Sequence, residues 1–273
     1  PSTSGWFVGH IRTDFSPFYS WHDRPKILGV HKSRSRDKNT IKPHRKQLFY
    51  IFMHIPKTAG TTLRGIVDGQ FGKKNVLTYY NQRSSQLLDN LYAILKVNDN
   101  YRAIIGHFSF GLHRNLEKPL TYITFLRHPV ARTVSQYKEM IVNHPHYIQA
   151  ADGSRMDLIE SLQANPEYYS DYQTKHLVGH KSPYLNDPSV GEIALDILDE
   201  YFGFVGLVEY FDSSIDQLTN LFGWQRIEYS RKNTKSIDLE ITPELVDVIC
   251  SQNQNDLMIY NKIKSILESK ADI

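Results

Sequence analysis

Three groups of residues in this 273-residue chain have types and spacings suited to chemistry on an anion. The first is the loop Ile55-Pro56-Lys57-Thr58-Ala59-Gly60, with Thr61 and Thr62 directly after it. Lys57 offers a cation, and Thr58, Thr61 and Thr62 offer hydroxyls. If a helix opens near Thr61, the loop also presents free backbone N–H groups at the positive end of a helix dipole. The natural guest of such a loop is a phosphate or sulfate group. The second group is Arg127 followed by Ser135. A guanidinium can make a forked contact to phosphate, and a hydroxyl can complete it. The third is His107, in IIGHFSF. A neutral imidazole accepts a proton at physiological pH, and Gly106 before it permits close approach of backbone or ligand. His54, just before the loop, is the rival base. A hydrogen-bonded structural histidine is the alternative at either position. His113, His128, His144 and His146 are closer to background, with His113 a candidate for the acceptor side. No histidine stands in a metal-binding frame, so no metal is expected.

These residues need elements to hold them. Leu48 to His54 is a short apolar run rich in aromatic and branched residues, as in a buried parallel strand. Pro56 and Gly60 mark the loop, and Thr61 or Thr62 is expected to cap the helix. Asn75 to Tyr80, Tyr101 to Phe108, Leu120 to Leu126 and Gly203 to Leu207 read as further strands. Ser84 to Lys96 places Leu87, Leu88, Leu91, Ile94 and Leu95 at helical spacing. Pro129 suits the first turn of a helix after Leu126. The alternation predicts an α/β fold with a parallel central sheet and helices on both faces. Ligands of such sheets lie beyond the C-terminal strand ends. The loop after His54, His107 and Arg127 all fall at such ends.

The order of residues within the loop narrows the reading. A Walker A loop places Lys after its last Gly, whereas here Lys57 precedes Gly60. PKTAGTT after an apolar strand resembles the 5′-phosphosulfate loop of sulfotransferases that use 3′-phosphoadenosine 5′-phosphosulfate (PAPS). It is most similar to the carbohydrate branch that includes the heparan sulfate 2-O-sulfotransferases. Arg127, Pro129, Arg132 and Ser135 match that family's R-x-P-x-x-R-x-x-S motif. The resemblance runs from about Leu48 to Lys235. It implies a three-layer fold with a central parallel sheet, like that of the P-loop nucleotide kinases. It also implies that Lys57, Thr58, Ala59, Gly60, Thr61 and Thr62 hold the phosphosulfate. Arg127 and Ser135 would bind the 3′-phosphate of PAPS, with Arg132 structural or behind them. His107 would be the base and Lys57 the cation for the leaving phosphate. The family's basic loop near Tyr229 to Ser236 makes Arg231 and Lys232 candidates to close over the nucleotide, against a merely solvated charge run. The partner implied is a hydroxyl-bearing acceptor, a glycan or a small molecule. The rival classes are an ATP-dependent kinase-like phosphotransferase and a non-catalytic nucleotide-binding scaffold.

Composition bounds the remainder. With 40% hydrophobic and 12% aromatic residues the chain can bury a sizeable core. A net charge of +3 suits an anionic ligand but is too small to indicate nucleic acid. One cysteine, Cys250, excludes an internal disulfide, and no N-x-[ST] sequon occurs, so a cytoplasmic setting is expected. No apolar run reaches the ~20 residues that span a bilayer. Residues 1–47 differ in character: scattered aromatics (Trp6, Phe7, Phe15, Phe18, Tyr19, Trp21) precede a basic stretch from His31 to Lys46. They read as an N-terminal arm before a sulfotransferase-like domain at 48–273. That arm is either solvated or packed on the core with a basic rim toward an anionic acceptor. Asn143 to Ser154 reads as a polar loop. Helices are expected at Arg155 to Ala164, Glu167 to Val178, Gly191 to Glu200, Glu209 or Phe211 to Phe222, Thr242 to Cys250 and Asn253 to Glu268. Gln173, Thr174, Lys175 and His176 are either acceptor-facing or purely structural, and Cys250 is expected to be a buried thiol.

Overall fold

A computed structural model describes residues 48–80, 85–230 and 237–271. The proposed N-terminal arm at 1–47 lies outside the described residues. Among the described residues, five strands form one sheet in the order β2-β3-β1-β4-β5, where β1 is Phe49–Met53, β2 Val76–Tyr79, β3 Ala103–Gly106, β4 Leu120–Leu126 and β5 Phe202–Leu207. Every pairing is parallel. After β3 the chain crosses to the other side of β1 to form β4, so the strand order reverses at β1. The crevice at such a reversal is where ligands settle in open α/β sheets.

Every residue of β1 is buried, as a central strand covered on both faces requires. Tyr50 and Phe52 face α1 (Gly60–Phe71) and α7 (Phe211–Phe222), meeting Leu63, Ile66, Ile215 and Leu218. Phe49, Ile51 and Met53 face the other layer. There α2 (Ser85–Val97), α5 (Tyr172–Val178), α6 (Val190–Tyr201) and α9 (Gln254–Ala271) supply Leu91, Leu177, Leu198 and Ile263. Each fully buried Leu or Ile contributes roughly 2 kcal/mol through lost apolar surface. A third cluster joins α3 (Pro129–Asn143), α4 (Leu158–Ala164) and α8 (Pro243–Ser251) through Tyr137, Met140, Leu162 and Ile249.

Among the described residues the expected strands and helices form, with four corrections to local detail. Neither Thr61 nor Thr62 caps α1; the helix opens at Gly60 after Ala59, which is left-handed at φ 63° and makes no side-chain cap. The helix expected from Arg155 starts at Leu158, because Asp157 and Glu160 form a capping box. Glu167 to Val178 is not one helix. A 3₁₀ turn at Pro166–Tyr168 ends, Asp171 turns left-handed at φ 40°, and α5 begins at Tyr172. Cys250 is half-buried rather than buried. The polar loop after Asn143 contains a 3₁₀ turn at Pro145–Ile148 and closes through a bridge between Gln149 and Arg155.

The break at Asp171 has a cause in α9. The Asp171 carboxylate accepts from the Asp256 backbone N–H (3.0 Å) and from Asn255 Nδ2 (2.8 Å). Asp256 returns the favour, accepting from the Gln173 and Thr174 N–H groups (3.1 and 2.7 Å) and from Thr174 Oγ1 (2.7 Å). Two helix starts thus cap each other across more than eighty residues of chain, supplying acceptors for donors that have no partner in their own helix. Burial pushes the Asp256 carboxyl pKa up, and the Thr174 donors oppose that shift. Asp256→Ala orphans three buried donors and is expected to cost about 3 kcal/mol of unfolding free energy. Urea denaturation measures it, and a loss under about 1 kcal/mol would mean the two caps are not coupled to global stability.

Candidate active site

The five parallel strands point their C-terminal ends to one edge, and the chemical residues gather there. Met53 pairs with Gly106, so the residues after them, His54 and His107, lie side by side with ring centroids 4.7 Å apart. The backbone N–H of His54 donates to Gly106 O (3.0 Å), and that of His107 donates to Tyr79 O (2.9 Å). Gly106 is required by crowding: a Cβ there would stand 1.9 Å from Tyr79 O.

The loop after His54 is wound tightly. Thr58 donates to Ile55 O through both its N–H (3.3 Å) and its Oγ1 (2.8 Å), and its side chain is buried. Lys57 and Ala59 both take left-handed φ, 73° and 63°. Each such residue other than glycine costs roughly 1 kcal/mol or more, and backbone of this kind forms concavities lined by N–H groups. The loop runs directly into α1, whose first turn holds no acidic residue to offset the dipole. Gly60 and Thr61 open that helix, where N–H groups have no earlier turn to bond. Thr61 is exposed and Thr62 half-buried.

Arg127 follows β4 and reaches the same loop, its Nη1 donating to Lys57 O (3.3 Å). Its Nε is buried without a hydrogen-bond partner among the described residues. Its backbone is clamped by one side chain: Gln173 Oε1 accepts from the Arg127 N–H and Gln173 Nε2 donates to Arg127 O, both at 2.9 Å. Gln173 and Thr174, candidates for the acceptor side, thus serve the scaffold through Arg127 and Asp256. Arg132 is fully buried, donates to Tyr168 O and Tyr169 O (2.9 and 3.2 Å), and lies 4.4 Å from the Tyr172 ring centroid. Its contacts are structural.

Ser135 and Glu139 stand one turn apart on α3, hence on one face. Glu139 is a site residue that sequence spacing did not reveal. Its carboxylate accepts from Lys57 Nζ at 2.9 Å and from Asn143 Nδ2 at 2.7 Å. Burial opposes its charge, but these hydrogen bonds outweigh it and hold the carboxyl pKa below its ordinary value. Tyr80 was also missed. Its ring meets His107 edge-on at 4.8 Å, and burial raises its hydroxyl pKa to about 12.

The two candidate bases differ. His107 is exposed, while burial of part of the ring, followed by the Lys57 charge, lowers its pKa to about 4. Water at the exposed edge tempers the size of that shift and leaves its direction, so the imidazole is neutral at physiological pH. His54 is buried, and both its ring nitrogens lack access and, among the described residues, a partner. His113 is drawn away from this edge, its N–H and Nδ1 engaged with the Tyr122 hydroxyl (2.9 and 3.1 Å). Arg231 and Lys232 lie outside the described residues. A concavity of ≈ 340 Å³ beside Tyr50, Phe71, Arg102 and Trp224 sits by the N-terminal strand ends, away from all these groups.

His113 gives a test of neutral burial. Its pKa is lowered to about 4, by burial first and then Arg114, from 6.5 in an unfolded chain. Unfolding therefore takes up a proton below that upper value, so its contribution is full above pH 6.5 and is lost as pH falls toward about 4. In His113→Asn the slope of unfolding free energy against pH in this window is expected to fall by about 1.4 kcal/mol per pH unit. An unchanged slope would show that His113 titrates normally in the fold.

No curated protein matches the chain by sequence. Its fold aligns with the crystal structure of a sulfotransferase from Alicyclobacillus acidocaldarius at 15% identity and a TM-score of 0.43, covering 80% of this chain and 95% of that one. It aligns with mouse sulfotransferase SULT7A1, complexed with PAP, at 12% identity and a TM-score of 0.38, covering 78% and 65%. No helix among the described residues is long and apolar enough to cross a membrane. A sulfotransferase family model matches residues 42–182, more than half of the chain and all of the site just described up to α5, and the chain accordingly belongs to the sulfotransferase family.

Proposed function

We propose that this sulfotransferase uses PAPS as donor and sulfates a hydroxyl of a carbohydrate or similar small acceptor, as in the branch that includes the heparan sulfate 2-O-sulfotransferases. The observation that carries the donor is the presence of two adjoining anion-seeking groups at one sheet edge. One is the Lys57 loop at the start of α1. The other is Arg127, whose buried Nε lacks a partner among the described residues, with Ser135 on the adjoining helix. A donor with a phosphosulfate at one end and a lone phosphate at the other matches that pair. A site for a simple phosphate would need one of them.

The residues then divide the work. His107, neutral and reached by solvent, takes the proton from the acceptor hydroxyl as its oxygen forms the new bond to sulfur. Lys57 faces the bridging oxygen that keeps the electron pair of the broken S–O bond, and balances the charge growing there. The loop N–H groups hold the phosphosulfate in line, and Arg127 and Ser135 hold the 3′-phosphate. The donor itself supplies the activated sulfuryl group. Glu139 must release Lys57 for this task, so its carboxylate competes with the donor. Catalysis rests on positioning and electrostatics.

Calorimetric titration with adenosine 3′,5′-bisphosphate, beside ATP and adenosine 5′-monophosphate, tests the donor. Preference for the bisphosphate is expected, and preference for ATP would turn the assignment toward phosphoryl transfer. Arg127→Ala is expected to weaken bisphosphate binding about 30-fold, from loss of a charged hydrogen-bonding group. His107→Ala is expected to lower turnover by about a hundredfold or more with bisphosphate affinity nearly unchanged. Parallel loss of both would remove His107 as base. Glu139→Gln is expected to tighten bisphosphate binding about threefold, the scale of a partly exposed ion pair. Weaker binding would show that Glu139 aims Lys57 at the donor instead of competing for it.

A further inference from the structure

His54 presents a physical problem. It is 9% exposed, and neither ring nitrogen has a hydrogen-bond partner among the described residues. A neutral imidazole carries one donor and one acceptor, and burying both unpaired is costly. Burial, then His107 and Lys57, pushes its pKa down to about 3, so the ring does not escape the cost by charging. Something else holds it in place.

The ring occupies the room left by a missing side chain. A Cβ on Gly60 would stand 1.8 Å from Cε1, 1.9 Å from Nε2 and 2.2 Å from Nδ1 of His54. Gly60 is the first residue of α1, and its φ is not left-handed. The glycine of PKTAG is therefore needed for space and not for conformational freedom. The same ring lies 4.7 Å from the His107 ring and 5.7 Å from that of Tyr80. One flat side chain thus touches the first residue of the anion-binding helix and the candidate base.

We infer that His54 is a positioning residue: its ring is the spacer that seats the start of α1 at Gly60 and covers one side of His107. The loop and the base then keep a fixed separation, which in-line transfer between two bound groups requires. The inference rests on the assignment of His107 as base and of the loop as the donor site. The groups facing His107 are Lys57 from the loop, Tyr80 from the end of β2, His54 from the end of β1 and His176 from α5. Removing the His54 ring admits water to His107 and moves its pKa up, toward the ordinary value of 6.5.

A double-mutant cycle tests this. Gly60→Ala puts a methyl where the ring lies and is expected to lower the melting temperature and weaken adenosine 3′,5′-bisphosphate binding about tenfold or more. His54→Ala vacates the space, so the pair His54→Ala with Gly60→Ala is expected to return to within about threefold of His54→Ala alone. Losses that simply add would overturn the spacer role. If Gly60→Ala does not fold, recovery of a folded double variant is itself the rescue, and failure of both counts against it. Separately, the acidic limb of the turnover–pH profile is expected to rise by about one pH unit in His54→Ala and to stay put in His54→Phe, which keeps a ring and drops the nitrogens. An unmoved limb in His54→Ala, or equal shifts in both variants, would overturn the shielding role. The melting-temperature cycle needs no ligand. A wild-type chain that binds no bisphosphate but shows the coupling would sink the donor assignment and spare the packing.

Discussion

Pairing Met53 with Gly106 brings two strand ends level, and that register governs the geometry at this edge of the sheet. In a parallel sheet covered on both faces, the strands have no freedom to slip, because a one-residue shift would turn Phe49, Ile51 and Met53 into the layer that Tyr50 and Phe52 occupy. The chain after each strand must therefore leave at a set height. His54 and His107 meet as neighbours for this reason, and the loop from Ile55 to Gly60 starts from the same height. Arg127 arrives from β4 on the other side of β1 and reaches back to Lys57 O.

Support for that edge comes from far along the chain. Asp256 at the start of α9 fixes the first turn of α5, and α5 then presents Gln173 to the peptide groups of Arg127. The Arg127 backbone is thereby fixed, and its Nε has no partner among the described residues. Arg132 sits deeper, over Tyr172, and ties the turn before α5 to α3 through two carbonyls. A buried guanidinium with this few partners is expensive, so its place is secured by the ring and the carbonyls together. The result is that both guanidinium groups are held in place by the fold itself.

Charge at the edge is balanced in a similar way. Lys57 lies in a left-handed backbone beside the dipole of α1 and would repel its own surroundings if left alone. Glu139 supplies the counter-charge from α3. The Lys57 ammonium and the Glu139 carboxylate thus pair across the edge, and the left-handed residues on either side of Thr58 shape the loop between them. The histidines stay neutral because burial and the same cation both work against their protonation.

Much of this was legible in the amino-acid order. The strands, the loop with its inverted Lys–Gly order, and the Arg127 to Ser135 motif follow from local rules: apolar period, glycine and proline punctuation, and side chains that suit an anion. They implied a parallel sheet, its chemical edge and the family. Pairings between distant segments were not legible. Nothing near Glu139 indicates Lys57, nothing near Gln173 indicates Arg127, and the left-handed turn at Asp171 is set by donors from α9. The helix start at Gly60, where a threonine cap was expected, follows from the left-handed turn at Ala59. Sequence favoured His107 over its rival His54 through the resemblance of its segment, although both end apolar strands; three-dimensional packing encloses His54 and leaves His107 exposed. Sequence by itself determined which elements form and which residue types stand at their ends, because those depend on neighbours in the chain. Tertiary structure alone decided which of those residues are solvated, paired or buried, because desolvation and hydrogen bonding depend on neighbours in space.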